Sequence, residues 1–512
     1  MGFLQAVYSL GLMASEAYKD STLADIINFL QLPYPLSEEE KDKVYAIRVW
    51  LDAADNYYKD VLDIKGVANV DRIEYKAIGG EEVKEVNIKE HCLYREPVGR
   101  NVSWRFTPLY KLGRGSNNSH KDLVGKNGYW QGDDKCRFYK LYHNLLIDYE
   151  KAGYFTEGSV DRIMADLVAQ IDKIAAYWSE RRIPCFLIFG LKATDNFLYP
   201  GEIPVFINYF REKLALNTLD NASDKKTKHI RCGLCSKTMK EVVTLDKVFK
   251  FATFDKPGFL PGTTRATEIK EKVFPVCKTC YETLSAGKEE MENRFANFNT
   301  IPNINLYVIP EIISDRQEFF RRAAEHTKNF LKNGVRYERQ LFNHLLKQNE
   351  GIVFHFMFAE INQAQLIIHS LVEDVPPTRL RQLQDMWIET CQAYSFDNDV
   401  SDKKCSLDTA ISQITAVLIS LAGINEQEKD DQEKKKAEMI VMKEKTIYVI
   451  SRLLNGESVS VNEIKKLMVS RFSRLFNDPN WLNPYGKEEM SGQQKVKGMA
   501  EVIDFLYRAN RR

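Results

Sequence analysis

A chain of 512 residues with 72 Lys+Arg against 71 Asp+Glu, 44% apolar and 11% aromatic residues is long enough for roughly three or four domains of about 150 residues, each with its own core. The charge balance excludes a histone-like polycation and the apolar content excludes a largely disordered chain, so any nucleic-acid surface has to be a local patch. Nine cysteines, an odd number, read as free thiols or metal ligands of a reducing compartment.

In chain order, residues 1 to 60 read as mainly helical, with Leu4, Val7, Tyr8, Leu10 and Leu12 at near-helical intervals. The apolar run Phe3 to Ala14 is shorter than the roughly 20 residues a bilayer needs and has no Lys or Arg ahead of it, so the expectation is a cytoplasmic protein with no membrane association. Ser37 with Glu40 fits a capping box. Arg72 to Ile78 alternates with period two, and with Val83 to Ile88 and Gly79-Gly80 between them predicts a β-hairpin. Residues 160 to 180 return to helix. Pro184 to Phe189, Ile203 to Ile207 and Ile304 to Ile309 read as buried strands. Helices are expected at Gln317 to Leu331, Tyr337 to Leu346 and Glu360 to Glu373, with a strand at Ile352 to Phe358. Beyond Pro376-Pro377 nearly everything reads as helix, in the manner of an independent bundle.

Two Cys-x-x-Cys pairs stand out, Cys232/Cys235 and Cys277/Cys280. A tight turn aims both thiolates of such a pair at one ion, and two turns complete a tetrahedral four-sulfur site of the kind zinc prefers. Four sulfurs leave no position for water, so one structural Zn2+ is expected, holding the surrounding segment together. The 41 residues between Cys235 and Cys277 exceed the usual zinc-ribbon spacing of about 15 to 20, so two unrelated turns with free thiols stay open as the plainer explanation.

Catalytic signatures are missing from the sequence. It contains no Gly-x-x-x-x-Gly-Lys-Ser/Thr loop, no His-Glu-x-x-His and no Gly-x-Ser-x-Gly elbow. His355 alternates with apolar neighbours and reads as a satisfied core or interface histidine. No catalytic residue is assigned, and the protein is expected not to be an enzyme.

The charges are unevenly placed. Arg95 to Lys140 holds ten Lys/Arg against four Asp/Glu, and residues 221 to 290 hold fourteen against nine. In the first stretch, glycine-rich and aromatic, Arg114, Lys121 and Lys126 suit phosphate, and Asn117, Asn118 and Asn127 suit base edges; Tyr129-Trp130 could stack beside a base. In the second, Lys225, Lys226, Lys228 and Arg231 lead into the first cysteine pair. A third set, Lys465, Lys466, Arg471 and Arg474, recurs at three to five residues, as one helix face tracking a strand would require. For each set an ordinary solvated surface is the competing explanation.

Between the cysteine pairs stands Phe251-Ala252-Thr253-Phe254-Asp255-Lys256-Pro257-Gly258-Phe259, flanked at a distance by Pro200-Gly201-Glu202-Ile203-Pro204-Val205-Phe206 and Val375-Pro376-Pro377-Thr378-Arg379-Leu380. Asp-Lys-Pro-Gly is turn chemistry, since Pro257 fixes one dihedral and Gly258 permits a positive one. Together these segments resemble the large-subunit family of type I-B CRISPR interference (Cascade) complexes, over about residues 180 to 400. The resemblance implies a non-catalytic subunit of a guide-RNA surveillance complex in antiviral defence. In that role it would help bind the guide 5′ end, recognise the motif flanking the target and stabilise the opened DNA. The implied partners are the CRISPR guide RNA, target double-stranded DNA, backbone and guide-end-capping subunits, a small helical subunit and a recruited helicase-nuclease. An internal start at Met386 would release the last 127 residues as such a small subunit.

The fold class expected is α+β: a mixed N-terminal body over 1–220, a basic zinc-binding insertion over 221–290, completion of the body over 291–378, and an all-α bundle over 379–512. Two other functions are kept beside the first: a zinc-ribbon nuclease or RNA-modifying enzyme, which would turn over DNA or RNA with a divalent metal, and a zinc-stabilised protein-interaction scaffold, which would bind neither.

Overall fold

The computed structural model describes residues 2–16, 21–36, 43–53, 59–96, 105–179, 183–194, 196–218, 230–239, 243–249, 274–312, 351–362, 365–394, 405–422, 429–470 and 492–511, with the single residues 324, 327, 345 and 472. The strands are β1 (Tyr45–Asp52), β2 (Gly66–Glu74), β3 (Leu109–Arg114), β4 (Pro184–Ala193), β5 (Asn196–Leu198), β6 (Ile230–Arg231), β7 (Thr238–Met239), β8 (Ala296–Ile301), β9 (Ile304–Ile312), β10 (Ile352–Asn362) and β11 (Gln365–Val375). The helices are α1 (Gly2–Glu16), α2 (Glu85–Cys92), α3 (Ser119–Val124), α4 (Arg137–Leu141), α5 (Ile147–Lys151), α6 (Ser159–Ala169), α7 (Ile171–Tyr177), α8 (Pro204–Thr218), α9 (Lys278–Arg294), α10 (Pro377–Tyr394), α11 (Leu407–Ser420), α12 (Lys429–Asn455), α13 (Val461–Val469) and α14 (Gly492–Arg511). The fold is mixed α+β, as the sequence predicts. Its residues divide into two compact units, one of 14–247 with 255–286 and one of 1–13, 248–254 and 287–512.

The first unit is built on a sheet of order β2-β1-β4-β3, with β5 turning back on β4. β1 and β4 run parallel, and the other pairs are antiparallel. β4 is buried from Cys185 to Leu191, which is why its text is a continuous apolar run instead of an alternation. On one side Phe186 and Ile188 join Ala46, Tyr75, Ile78, Ile88, Cys92, Leu109 and Phe197 in a single core. α2 lies close to the turn after β5: a Cβ on Gly201 would stand 1.8 Å from the Glu90 carbonyl oxygen, so only glycine fits the Pro200-Gly201-Glu202 segment.

At the β1–β2 edge, Arg48 and Asp71 are register partners. The Asp71 carboxylate accepts from Arg48 Nε at 2.8 Å and from Trp50 Nε1 at 3.1 Å, and the guanidinium covers the Trp50 and Phe197 rings at 5.1 and 5.3 Å. Burial acts to raise the Asp71 pKa, but the hydrogen bonds from Arg48 and Trp50 and the Arg48 charge outweigh it and hold the carboxyl below the ordinary range. A carboxyl depressed in the native state adds stability above its unfolded pKa of about 3.9, and that stability is lost as pH falls through the native value. Asp71→Asn should therefore lower stability by about 1.5–3 kcal/mol at pH 7. In denaturant titrations the gap between wild type and variant should close on acidification below about pH 4; a gap that is constant with pH would refute this account.

Several sequence-based expectations are corrected in this unit. Arg72 to Ile78 and Val83 to Ile88 do not form a hairpin. β2 ends at Glu74 and pairs with β1, residues Tyr75–Gly79 make a 3-10 turn, and Glu85–Cys92 is α2. The strand-like Ile203 to Ile207 opens α8, because Pro204 sits at its first position, where a missing N–H costs nothing. Within residues 1 to 60 the helix α1 is followed by the strand β1. The capping-box pair Ser37 and Glu40 lies outside the described residues.

The second unit contains the antiparallel sheet β11-β10-β9-β8. β10 is buried from Ile352 to Ala359 on both faces. Glu360 to Glu373, expected to be helical, is instead the end of β10 and most of β11, in register as Phe356↔Val372 and Met357↔Leu371. Pairing with β10 overrides a short helical pattern, as local propensity predicts poorly when a partner strand is at hand. The expected helices Gln317 to Leu331 and Tyr337 to Leu346 fall almost wholly outside the described residues.

The C-terminal helices do not stand apart from this sheet. Leu306, Phe354, Phe356 and Phe358 share one core with Leu380, Leu383, Trp387, Ile414, Leu418, Ile450, Val502 and Phe505. The expectation of an independent bundle is thus corrected: α10, α11, α12 and α14 enclose the same hydrophobic core that the sheet faces. Pro377 begins α10, and the Arg379 guanidinium donates twice to the Leu453 carbonyl, at 2.9 and 2.7 Å, which caps the end of α12.

Candidate metal centre

The four predicted cysteines converge. Cys232, Cys235, Cys277 and Cys280 place their sulfurs all within 4.8 Å of one another. The first pair sits on the knuckle between β6 and β7, where Cys232 N–H donates to the Lys237 carbonyl at 2.9 Å and Ser236 N–H to the Cys232 carbonyl at 3.0 Å. Ser236 takes a left-handed φ of +58° to close that turn. The second pair spans the entry to α9, so Cys280 lies in the helix's first turn, where the backbone dipole favours negative sulfur.

The two knuckles are joined before any metal is considered. Gly233 N–H donates to the Pro275 carbonyl at 2.8 Å, and Val243 and Val276 exchange backbone hydrogen bonds of 3.0 and 3.1 Å. Cys277 N–H points at Cys232 Sγ at 3.4 Å. Tyr281 packs on Phe29 with ring centroids 5.6 Å apart. A chain separation that looked long for a ribbon is thus closed by a small β-bridge, and the explanation as two unrelated turns fails.

The donor set fits a tetrahedral ion. Four sulfurs at about 2.3 Å from a zinc would stand about 3.8 Å apart, and Cys235 and Cys277 Sγ are 3.7 Å apart. Burial acts to raise the Cys232 thiol, but N–H groups of Cys235, Cys277 and Leu234 directed at its sulfur bring it down to about 7. Burial, with the neighbouring thiols, pushes Cys277 and Cys280 up. The arrangement can hold a metal ion and presents only sulfur to it.

The sequence-predicted nucleic-acid residues are not gathered in one place. Arg114 is exposed at the end of β3; Asn117 and Asn118 precede α3, Lys121 lies on it and Lys126 and Asn127 follow it, all exposed. Trp130 is buried against Tyr142 at 5.2 Å, while Tyr129 is exposed. Arg231 is exposed on β6; Lys225, Lys226 and Lys228 are outside the described residues. Lys465 and Lys466 lie on α13, with Lys465 Nζ 2.9 Å from the Tyr507 hydroxyl, and Arg471 and Arg474 are outside the described residues. The Phe251 to Phe259 signature is outside them as well.

Sequence reasoning missed a second cluster. Glu311, His355 and Asp374, on β9, β10 and β11, bring a ring nitrogen and two carboxylates within 4.8 Å. His355 Nε2 is 2.7 Å from Glu311 Oε2, and the Asp374 N–H donates to Nδ1 at 3.4 Å, so the fully buried histidine is satisfied on both nitrogens, as read from its apolar setting. Only strand register brings these three together, and no spacing in the chain signals it.

A mixed α+β chain with a four-cysteine cluster is the class of protein that fold and site define. Residues 229–375 match the family model described as CRISPR-associated protein TM1802 (cas_TM1802) central domain. The match starts just before the first knuckle and ends with β11, inside the stretch that carries the resemblance to the type I-B large-subunit family, and supports that resemblance. It indicates a CRISPR-associated protein. No curated protein matches the chain.

Proposed function

We propose that this protein is the non-catalytic large subunit of a type I-B guide-RNA surveillance complex. In this reading it helps bind the guide 5′ end, recognise the target-flanking motif and stabilise the opened DNA, in the cytoplasm, with one structural zinc in the four-cysteine centre. The match of residues 229–375 to a CRISPR-associated central domain carries the proposal. Closed sulfur coordination supports a structural role for the ion, since it leaves no site for a reacting water. Among the described residues no helix is long and apolar enough to cross a membrane. Base pairing would carry target specificity while the protein contacts the flanking duplex and the phosphate backbone.

The test is to co-express the chain with its repeat array and neighbouring subunits and to purify it through a tag on this chain. A guide RNA should co-purify, and its retention should weaken steeply between about 50 and 200 mM salt as phosphate contacts are lost. A complex with no guide RNA at low salt would overturn the reading. Turnover of DNA or RNA by the isolated chain with magnesium or manganese would overturn its non-catalytic part in favour of the nuclease alternative.

A further inference from the structure

The net positive stretch from Arg95 to Lys140 builds a cavity from cations other than those its sequence singles out. Arg95, Arg105, Lys111, Arg137 and Lys140 line a hollow of about 190 Å3, with Glu96 the one carboxylate on its wall among the described residues. Its floor is firm: Thr107, Leu109, Tyr94 and Tyr110 are all buried. β3 supplies Lys111, α4 supplies Arg137 and Lys140, and the chain leading into and out of residues 97–104 supplies Arg95 and Arg105.

Like charges crowd there, and Glu96 compensates only Lys111 among them. Glu96 takes Lys111 at 3.2 Å and accepts the Tyr94 hydroxyl. Arg95 donates to the Phe29 carbonyl at 3.2 Å and covers the Phe29 and Phe106 rings. Arg137 lies beside the Tyr110 hydroxyl and over Trp178. Among the described residues, Arg105, Arg137 and Lys140 form no ion pair with a carboxylate. The intervening residues 97–104 contain no Asp or Glu and add Arg100 to the sequence. Cations converging on a small hollow attract an anion more strongly than cations spread on a convex face, because the walls exclude solvent screening.

Size and donor geometry select the anion. The hollow of about 190 Å3 has room for a phosphate group. Two guanidinium forks suit paired phosphate oxygens, lysines add point charge, and the Tyr110 hydroxyl and Asn144 amide offer neutral donors. We propose that this cavity is a phosphate-binding site and that, in the complex, it holds one phosphate of a nucleic-acid strand; the second half rests on the function proposed above.

The full-length protein should broaden the 31P resonance of inorganic phosphate saturably, and calorimetry should give the affinity. Arg105→Gln and Arg137→Gln should each weaken phosphate binding about tenfold or more, while Lys126→Gln, an exposed cation outside the cavity, should change it less than about twofold. Arg105→Lys keeps the charge and loses the fork, and should fall between wild type and Arg105→Gln, which guards against a variant that fails to fold. Short single strands carrying a 5′-phosphate or a 5′-hydroxyl separate the sources: preference for the phosphorylated strand assigns a terminal phosphate, and equal binding, lost in both Gln variants, assigns an internal one. Absence of phosphate binding, binding unchanged in Arg105→Gln and Arg137→Gln, or an equal loss in Lys126→Gln would overturn the site. Guide RNA retained by a protein that does not bind phosphate would overturn this site alone; phosphate bound by a protein that never retains guide RNA would leave the site standing and remove the proposed function.

Discussion

Replacing Cys280 with Ser should remove the metal and unfold the cysteine module. Metal analysis of the purified wild type is expected to find about one zinc per chain, and the variant, like a Cys232→Ser/Cys277→Ser double variant, to retain little of it. The effect should be large because the module's strands β6 and β7 have two residues each, and the two knuckles meet through a few backbone hydrogen bonds. Structural zinc sites of this type supply about 10–16 kcal/mol of apparent binding energy that serves as folding energy. Limited proteolysis should therefore cut the chain near residues 230–247 in the variant and in chelator-treated wild type, and not in the zinc-loaded protein. Acid should have the same effect. Cys232 is held at about 7 while Cys277 and Cys280 are pushed up, so the metal has to displace protons from the raised thiols. Zinc affinity should fall about tenfold per pH unit for each proton displaced as pH drops. A full complement of zinc in the Cys280→Ser protein would refute the ligand set.

The cysteine site was legible because its geometry is written in chain spacing: two residues between thiols leave a tight turn few alternatives. Pro184 to Phe189 and Ile304 to Ile309 were legible for a related reason, since strands buried on both faces need uninterrupted apolar text. Glu360 to Glu373 is bulged strand and not the expected helix because what decides it, the ladder to β10, is made by residues elsewhere in the chain. Ile203 to Ile207 turns on one residue, Pro204, which opens a helix at its first position and outweighs the strand-like apolar run. Charge was legible as a region and not as a site. The surplus in Arg95 to Lys140 is plain in the sequence, but the cations that converge, Arg95, Arg105, Lys111, Arg137 and Lys140, come from two loops, a strand and a helix. The residues named from sequence, Arg114 to Asn127, lie together along the chain and point outward.

Phe505→Ala should destabilise the second unit by about 3–5 kcal/mol, the cost of deleting a fully buried aromatic from a closed core. Phe505 is fully buried and meets Trp387 edge to face at 5.4 Å. Both belong to the core that also holds Phe354, Phe356 and Phe358 of β10, so the loss should not stay among the helices. Amide hydrogen exchange should speed up in β9 and β10 together with α10 and α14; unchanged protection of β10 would restore the independent bundle that the sequence predicts. The same core bears on an internal start at Met386. That position lies in the middle of α10 and is buried, and a product beginning there lacks Leu380 and Leu383 as well as every strand that covers α11 and α14 in this chain. Such a product should keep helical circular dichroism, yet bind a hydrophobic dye through the uncovered face. Covering that face would take another subunit, and a product from Met386 that is monomeric, dye-silent and cooperatively folded would show that the helices do not need the sheet.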